Sequence, residues 1–247
     1  MIKYILFDTE TTGNQEEDRI IQIGAMVVGA RGSVDVYDEL CSAPLPIKIE
    51  AMEVHNITPE LLEGKTPFST TRFYRDIQAL NSENNYLIAH NINFDLGMLK
   101  KEGFENRMKL IDTLRCSKHL YPDSDAHRLQ YFRYSLGLYR EEQQEANRHG
   151  IVIKAHDAIG DVLVMKLLLS KLVAKVKEKY RGVNPMLKLE ELTHTPVFMK
   201  TFKFGKYKGE QIEDIARKDT GYIKWMLKSL ELDEDLKYTL ERVLENA

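Results

Sequence analysis

Residues 4–13 read YILFDTETTG. An apolar run leads directly into two carboxylates, Asp8 and Glu10, spaced two residues apart. In a strand, side chains i and i+2 leave by the same face, so both acids point into one volume. Two anions held that close are costly unless protons or cations compensate them. The rest of the chain decides what compensates them and which residues join them.

Outward from this strand, RIIQIGAMVVG (19–29) and SVDVYDEL (33–40) continue the strand pattern, with short turn residues between them. Three strands, antiparallel to one another, are expected to open the chain. EAMEVHNITPELLEG (50–64) turns helical and loop-like, and TTRFYRDIQALN (70–81) repeats apolar residues at helix spacing. NYLIAHN (85–91) and MKLIDT (108–113) read as strands, each followed by a helix. Two such strand-to-helix units imply parallel strands, hence an α/β domain with a mixed sheet flanked by helices. The longest helix is expected from about Ala158 to Tyr180. VNPMLKLEELTHTP carries two prolines and no sustained period, so 183–196 reads as a linker between a domain at 1–182 and a small C-terminal module at 197–247. In that module, FMKTFKFGKYKGEQ (198–211) reads as strand-like residues around Gly205 and Gly209, followed by two helices over 212–230 and 233–247. Trp225, with Ile223, Met226 and Leu227, reads as helix core.

The 247 residues can bury a sizeable core, and 43% hydrophobic with 30% charged content is that of an ordinary globular protein. A net charge of −3 neither favours nor excludes nucleic acid, because binding depends on local patches. Cys41 and Cys116 are far apart and form no CxxC pair, which points away from a disulfide scaffold or a zinc site. No stretch reaches the roughly 20 apolar residues of a membrane span, and MIKYILFDTE lacks the long apolar segment of a signal peptide. No membrane association and a reducing cytoplasm are expected.

Two more acid-bearing stretches bear on the chemistry. HNINFD (90–95) places Asp95 at a helix start just after a strand, and HDAIGD (156–161) places His156 and Asp161 at the start of the long helix. Taken singly, Asp95 reads as a helix cap and Asp161 as a first-turn acid favoured by the helix dipole. Taken together, four carboxylates and a histidine near element ends suit hard divalent cations such as Mg2+ or Mn2+.

Asp8-Thr9-Glu10, Asp95 within HNINFD, and His156 with Asp161 resemble, in order, the three motifs of the DnaQ-like 3'-5' exonucleases in their histidine-bearing (DEDDh) branch. RIIQIGAMVV, HNIT (55–58), IDTL (111–114) and HRLQYFRYSLGL (127–138) are similar to segments of the same family, and the likeness extends over about residues 1–178. The resemblance implies a ribonuclease-H-like fold in which Asp8, Glu10, Asp95 and Asp161 bind two divalent ions and His156 is the general base. Departures are modest: Asn93 stands where many members have alanine, and Gly97 occupies a helical position. The acidic loop NQEEDR (14–19) is expected to face solvent, away from the entering strand.

Substrate contacts are expected from Thr9, Thr11, Thr12 and Gly13 of the first motif, and from His90, Asn91 and Phe94 of the second, although Phe94 reads first as core packing. Met52, His55 and Asn56 are weaker candidates for the terminal-base pocket. The C-terminal stretch FKFGKYKGEQIEDIARKDTGYIKWMLKSL resembles the module that closes the exonuclease X-like group. Lys200, Lys203, Lys206 and Lys208 form a basic run there, a candidate for phosphate contacts. The leading reading is a metal-dependent exonuclease that releases 5'-nucleoside monophosphates from DNA with a free 3' end, single-stranded or duplex. The alternatives are an exoribonuclease trimming RNA, and a non-catalytic nucleic-acid-binding or polymerase-associated protein. Protein partners are not legible.

Overall fold

A computed structural model describes residues 1–29, 32–153 and 157–245. They divide into two compact units, Met1–Thr193 and His194–Ala247. In the first, β1 (Tyr4–Thr11), β2 (Ile20–Val28) and β3 (Val34–Leu40) precede the helices α1 (Ile49–His55), α2 (Pro59–Leu62) and α3 (Arg72–Leu80). Two strand-to-helix units follow: β4 (Tyr86–Ala89) with α4 (Ile92–Lys101), and β5 (Lys109–Asp112) with α5 (Thr113–Leu120). The helices α6 (Leu129–Ser135), α7 (Tyr139–His149), α8 (Ala158–Lys179) and α9 (Pro185–His194) complete the unit.

The strands form one sheet in the order β3-β2-β1-β4-β5. Strand β2 is antiparallel to β1 and β3, whereas β4 pairs parallel with β1, and β5 parallel with β4. This is the expected mixed sheet, a ribonuclease-H-like core. Alternation along β1 splits the hydrophobic core in two. Leu6 joins Met26, Ile88 and Ile111 beneath the apolar residues of α8, while Ile5 and Phe7 join Ile23, Leu87, Phe73 and Leu99 on the opposite face. Asp8 and Glu10, in step with Leu6, therefore leave by the α8 face.

Helix α8 comes unusually close because Gly24 of β2 lies beneath its first turn. A Cβ at Gly24 would stand 2.3 Å from the backbone of Ala158 and Ile159. Gly24 is also the cross-strand partner of Asp8. The absence of one methyl group thus sets how near the helix bearing Asp161 comes to the strand bearing Asp8.

The linker expected over 183–196 is instead mostly α9. Asn184 begins it, its Oδ1 accepting from the N–H groups of Met186 and Leu187 at 3.0 and 3.4 Å. Pro185 at the first helical position gives up no needed donor, and Leu189 and Leu192 are buried in the core. At ten residues it is under three turns long, too short for its apolar period to stand out in the sequence.

In the second unit, α10 (Ile212–Lys218), α11 (Thr220–Ser229) and α12 (Glu234–Glu245) pack around Phe202, Tyr207, Ile215, Ile223, Met226 and Leu240. Two sequence expectations change here. The first is that residues 198–211 are not strands, apart from an isolated bridge between Thr201 and Gln211. Gly205 and Gly209 take left-handed φ of 78° and 89°, and the loop closes on itself through Gly209 N–H to Phe202 O at 2.8 Å. The second is that the helix expected over 212–230 is two, because Asp219 leaves helical geometry and its carboxylate caps α11 by accepting from Tyr222 N–H at 3.1 Å.

Candidate active site

The acids arrive from three elements. Asp8 and Glu10 stand at the end of β1, both partly exposed. Asp95 lies in the first turn of α4 and is 3% exposed. The chain enters α4 through Asn91, held in the left-handed region at φ 76°, with its N–H donated to Asp112 Oδ1 at 3.0 Å. Asp95 does not cap its own helix; its Oδ1 accepts from Thr9 Oγ1 at 2.7 Å and from Thr9 N–H at 3.2 Å. Asp161 occupies the first turn of α8, where its Oδ1 accepts from Gln130 Nε2 at 2.6 Å. His156 lies outside the described residues.

Burial and mutual repulsion govern the protonation of this group. Burial holds Asp8 well above the usual carboxylate range, and the nearby charges of Asp95, Glu10 and Asp161 push it further. Burial, then Asp161, Asp95 and Asp157, raises Glu10 to about 8. Burial raises Asp95 to about 7 although both Thr9 hydrogen bonds oppose the shift, with Asp112 adding to it. Among the described residues, no three ligating side chains converge into a closed metal cage. The acids share one electrostatic field, and Gln130 and Thr9 occupy an oxygen each of Asp161 and Asp95. Carboxylate oxygens are the donors that hard divalent cations prefer, so the chemistry of these four side chains fits Mg2+ or Mn2+.

Beside Glu10 opens a recess of about 560 Å³, lined by Thr9, Glu10, Thr11, Gly13, His55 and Phe94 of the expected set. Phe94 is 38% exposed at its edge, and so is a wall rather than core. His55 is buried, and its Nδ1 accepts the N–H of Ile57 at 3.0 Å, which leaves Nε2 to donate to Thr11 O at 3.2 Å. Burial lowers its pKa, so a neutral ring fixes the Thr11 backbone at the recess.

Other expected contacts lie elsewhere. Thr12 is fully buried, its hydroxyl donating to Asp18 at 2.9 Å. Met52 packs with Ile21, Ile47 and Ile57. Asn56 closes α1 in the left-handed region. His90 meets Thr113 Oγ1 and donates to His127 O, each at 2.9 Å, so it braces β4 against the 127 segment.

The loop at 14–19 differs from expectation too. Asn14 and Gln15 line the recess, and Asp18, 1% exposed, is paired with Lys48 at 2.6 Å. Lys48, Glu50, Ala51 and Val54 of the α1 region also line the recess. The sequence signal for them was slight: Val54, at 58% exposure, is an apolar residue on a solvent-facing helix position. Gln22, opposite Glu10 on β2, donates to Asp157 Oδ1 at 2.6 Å and Asp38 Oδ1 at 2.9 Å, tying β2 to the start of α8. In the second unit, Lys200, Lys203, Lys206 and Lys208 are all exposed, and Lys206 pairs with Asp219 at 3.1 Å.

The mixed sheet, with Asp8 and Glu10 at the end of β1 and Asp95 and Asp161 in the first turns of α4 and α8, is of the ribonuclease-H-like class, and comparison with known proteins narrows it. The family model described as "Exonuclease" matches residues 5–169, and "Exodeoxyribonuclease X-like C-terminal" matches residues 202–231. Exodeoxyribonuclease 10 of Escherichia coli (strain K12) is 26% identical over 243 residues, 98% of each chain. DNA polymerase III subunit epsilon of Treponema pallidum (strain Nichols) is 30% identical over 196 residues, 74% of this chain and 82% of that one. Among solved structures, exonuclease X in complex with 5' overhanging duplex DNA superposes with a TM-score of 0.56 at 22% identity, covering 78% of this chain and 99% of that one. Escherichia coli exonuclease I in complex with a dA16 oligonucleotide gives 0.52 at 18% identity, covering 77% and 42%. The chain belongs to the exonuclease family of the DnaQ-like DEDDh superfamily and is related to its exonuclease X-like members. Membership supports a 3'-5' exonuclease activity, and the family generally requires divalent metal ions.

Proposed function

We propose that the protein is an exodeoxyribonuclease that hydrolyses the terminal phosphodiester at the 3' end of DNA, releasing 5'-nucleoside monophosphates. The observation that carries this reading is the shared field of Asp8, Glu10, Asp95 and Asp161 beside an open recess. Those four would hold two divalent cations, Mg2+ or Mn2+, which supply charge compensation and Lewis-acid activation of water and phosphoryl oxygens when bound. Thr11 and Gly13 line the recess, and Val54, Ala51 and Phe94, also lining it, offer apolar surface to a terminal base of any identity. His156 takes the proton of the attacking water. Gln22 fixes Asp157, the next residue, through the 2.6 Å hydrogen bond. The attacking oxygen joins the terminal phosphorus as the bond to the 3' oxygen of the shortened chain breaks, and that oxygen leaves as a hydroxyl once protonated.

The relatives' names favour DNA over RNA as substrate. Among the described residues no helix is long and apolar enough to cross a membrane. Both cysteines are buried free thiols, their pKa raised to about 12 chiefly by burial, and a cytoplasmic setting completes the proposal.

Digestion of matched 3'-end sequences as DNA and RNA, single-stranded and duplex, with Mg2+ or Mn2+ and products resolved by length, tests it. DNA shortened stepwise from the 3' end is expected, abolished in Asp8→Ala and slowed about 100-fold or more in His156→Ala. Wild-type turnover by Asp8→Ala, or RNA degraded in preference to DNA, overturns the reading.

A further inference from the structure

The core of the second unit is complete without two of its largest side chains. Phe202, Tyr207, Ile212, Ile215, Ile223 and Met226 fill it. Trp225, expected in that core, is 50% exposed, and Phe204 is 47% exposed. The helical period explains the change: Ile223 and Met226 take the buried stripe of α11, leaving Gly221, Lys224, Trp225 and Lys228 on the solvent side. Exposed aromatic surface of this size has no structural return here, and clustered exposed apolar groups mark binding surfaces.

The local geometry presents these rings as flat faces. Trp225 leans on Tyr222 with centroids 5.7 Å apart and planes tilted by 32°. Helical side chains point back over positions i−3 and i−4. For Trp225 those are Tyr222 and Gly221, so one side of the indole is backed by a ring and no side chain is present at i−4 to cover it. A Cβ at Gly221 would meet only Asp219 Oδ1, at an ordinary 3.6 Å, so packing does not demand glycine there. The turn bearing Phe204 is held to the same cluster at Gly205, where a Cβ would stand 2.6 Å from the Tyr222 hydroxyl. Lys206 lies 4.6 Å from the Tyr207 centroid and 6.0 Å from that of Tyr222, bringing a cation to the rings.

The surrounding charge selects the occupant. Residues 200–209 and 220–230 contain six lysines and no acid, while the unit's acids fall in 210–219 and 231–245. Asp219 meets this surface, paired with Lys206 at 3.1 Å. Lysine is depleted in protein–protein interfaces. Aromatic faces interleaved with cations are what unpaired bases and their phosphates require.

We propose that the face of the second unit centred on Trp225 and Phe204 is a stacking platform for single-stranded nucleic acid. Trp225 and Phe204 stack on unpaired bases, and Lys206, Lys224 and Lys228 face the phosphates. The platform rests on the reading of the protein as one that handles nucleic acid, but its test needs no cleavage.

Trp225 is the single tryptophan of the chain, so its emission reports directly on the site. The full-length protein in EDTA is titrated with a twelve-residue oligothymidylate and with an abasic oligomer of equal length, following Trp225 emission together with the anisotropy of labelled oligomers. Saturable quenching by oligothymidylate is expected, with none from the abasic strand. Trp225→Ala should bind oligothymidylate about 10-fold more weakly, and Trp225→Phe should recover most of the loss. Lys224→Ala with Lys228→Ala should flatten the slope of log K against log salt by about 1.4. Circular dichroism melts confirm that the variants are folded.

Unchanged emission while the oligomer binds, equal quenching by the abasic strand, or equal affinity in a folded Trp225→Ala overturns the platform. Quenching without any nuclease activity would overturn the proposed enzyme and leave the platform standing. Cleavage with an unaffected Trp225→Ala would do the reverse.

Discussion

Gly24→Ala tests whether close backbone approach, rather than any ligand, sets the spacing of the acids. The added Cβ would lie 2.3 Å from Ala158 C and Ile159 N, both backbone atoms, and ordinary contact begins near 3.4 Å. Helix α8 or strand β2 must therefore retreat by about 1 Å, since neither neighbouring atom is the end of a flexible side chain. Overpacking of this kind costs about 1–3 kcal/mol, and two backbone contacts place Gly24→Ala at the upper end. For a chain of this size that corresponds to a melting temperature about 6–12 °C lower. Gly24 faces Asp8 across the β1–β2 ladder and Asp161 rides on α8, so the retreat falls on the gap between two of the proposed ligands. A misplacement of about 1 Å costs on the order of 100-fold in rate. The assay pairs thermal melts with exonuclease kcat and with Mg2+ affinity by calorimetry, at a temperature where the variant is fully folded. Loss of stability together with weakened Mg2+ binding and a fall in kcat is expected. A variant that melts lower but keeps wild-type Mg2+ affinity and kcat would show that the acids are positioned independently of Gly24.

Two further outcomes follow from the acid field and from helix α4. Glu10 is raised from 4.5 to about 8 and Asp95 from 3.8 to about 7, so the folded protein holds protons that the unfolded chain releases earlier. The stability they contribute is fully present below about pH 4 and is lost as pH rises toward 8. Metal-free protein should thus melt lower at pH 8 than at pH 6, and added Mg2+ should raise the melting temperature more at pH 8, where the carboxylates are free to ligate. Glu10→Gln should remove much of that slope, and a pH-independent response to Mg2+ would contradict the field. Gly97 lies exposed in α4 with open space where a Cβ would sit, so Gly97→Ala should stabilise the protein by up to about 1 kcal/mol, read from denaturant midpoints; a destabilised Gly97→Ala would mean that α4 needs the glycine for another reason.

The alternation of YILFDTE, read without any structure, already sends Asp8 and Glu10 to one face and Ile5 and Phe7 to the other, because strand period is a local property of the backbone. The strands, the helices of the first 120 residues and α8 were legible for the same reason; α6 and α7 were not, α7 carrying hardly an apolar residue to set a period, and the ordered acid motifs were legible by their resemblance to a family. Local pattern failed where packing chooses among several local solutions. Segment 185–194 is a helix because Leu189 and Leu192 find a core to enter. Trp225 is exposed because Ile223 and Met226 take the buried stripe. Met52 packs inward, and Phe94 forms a wall of the recess. The shared field of Asp8, Asp95 and Asp161 is likewise a tertiary fact. Their positions are separated by up to 153 residues of sequence, and what brings them together is the parallel pairing of β1 with β4 and the bare Cα of Gly24 under α8. Local sequence specifies which side chains share a face, whereas only close packing between distant elements specifies which faces meet, because contact energies depend on shapes that no single segment contains.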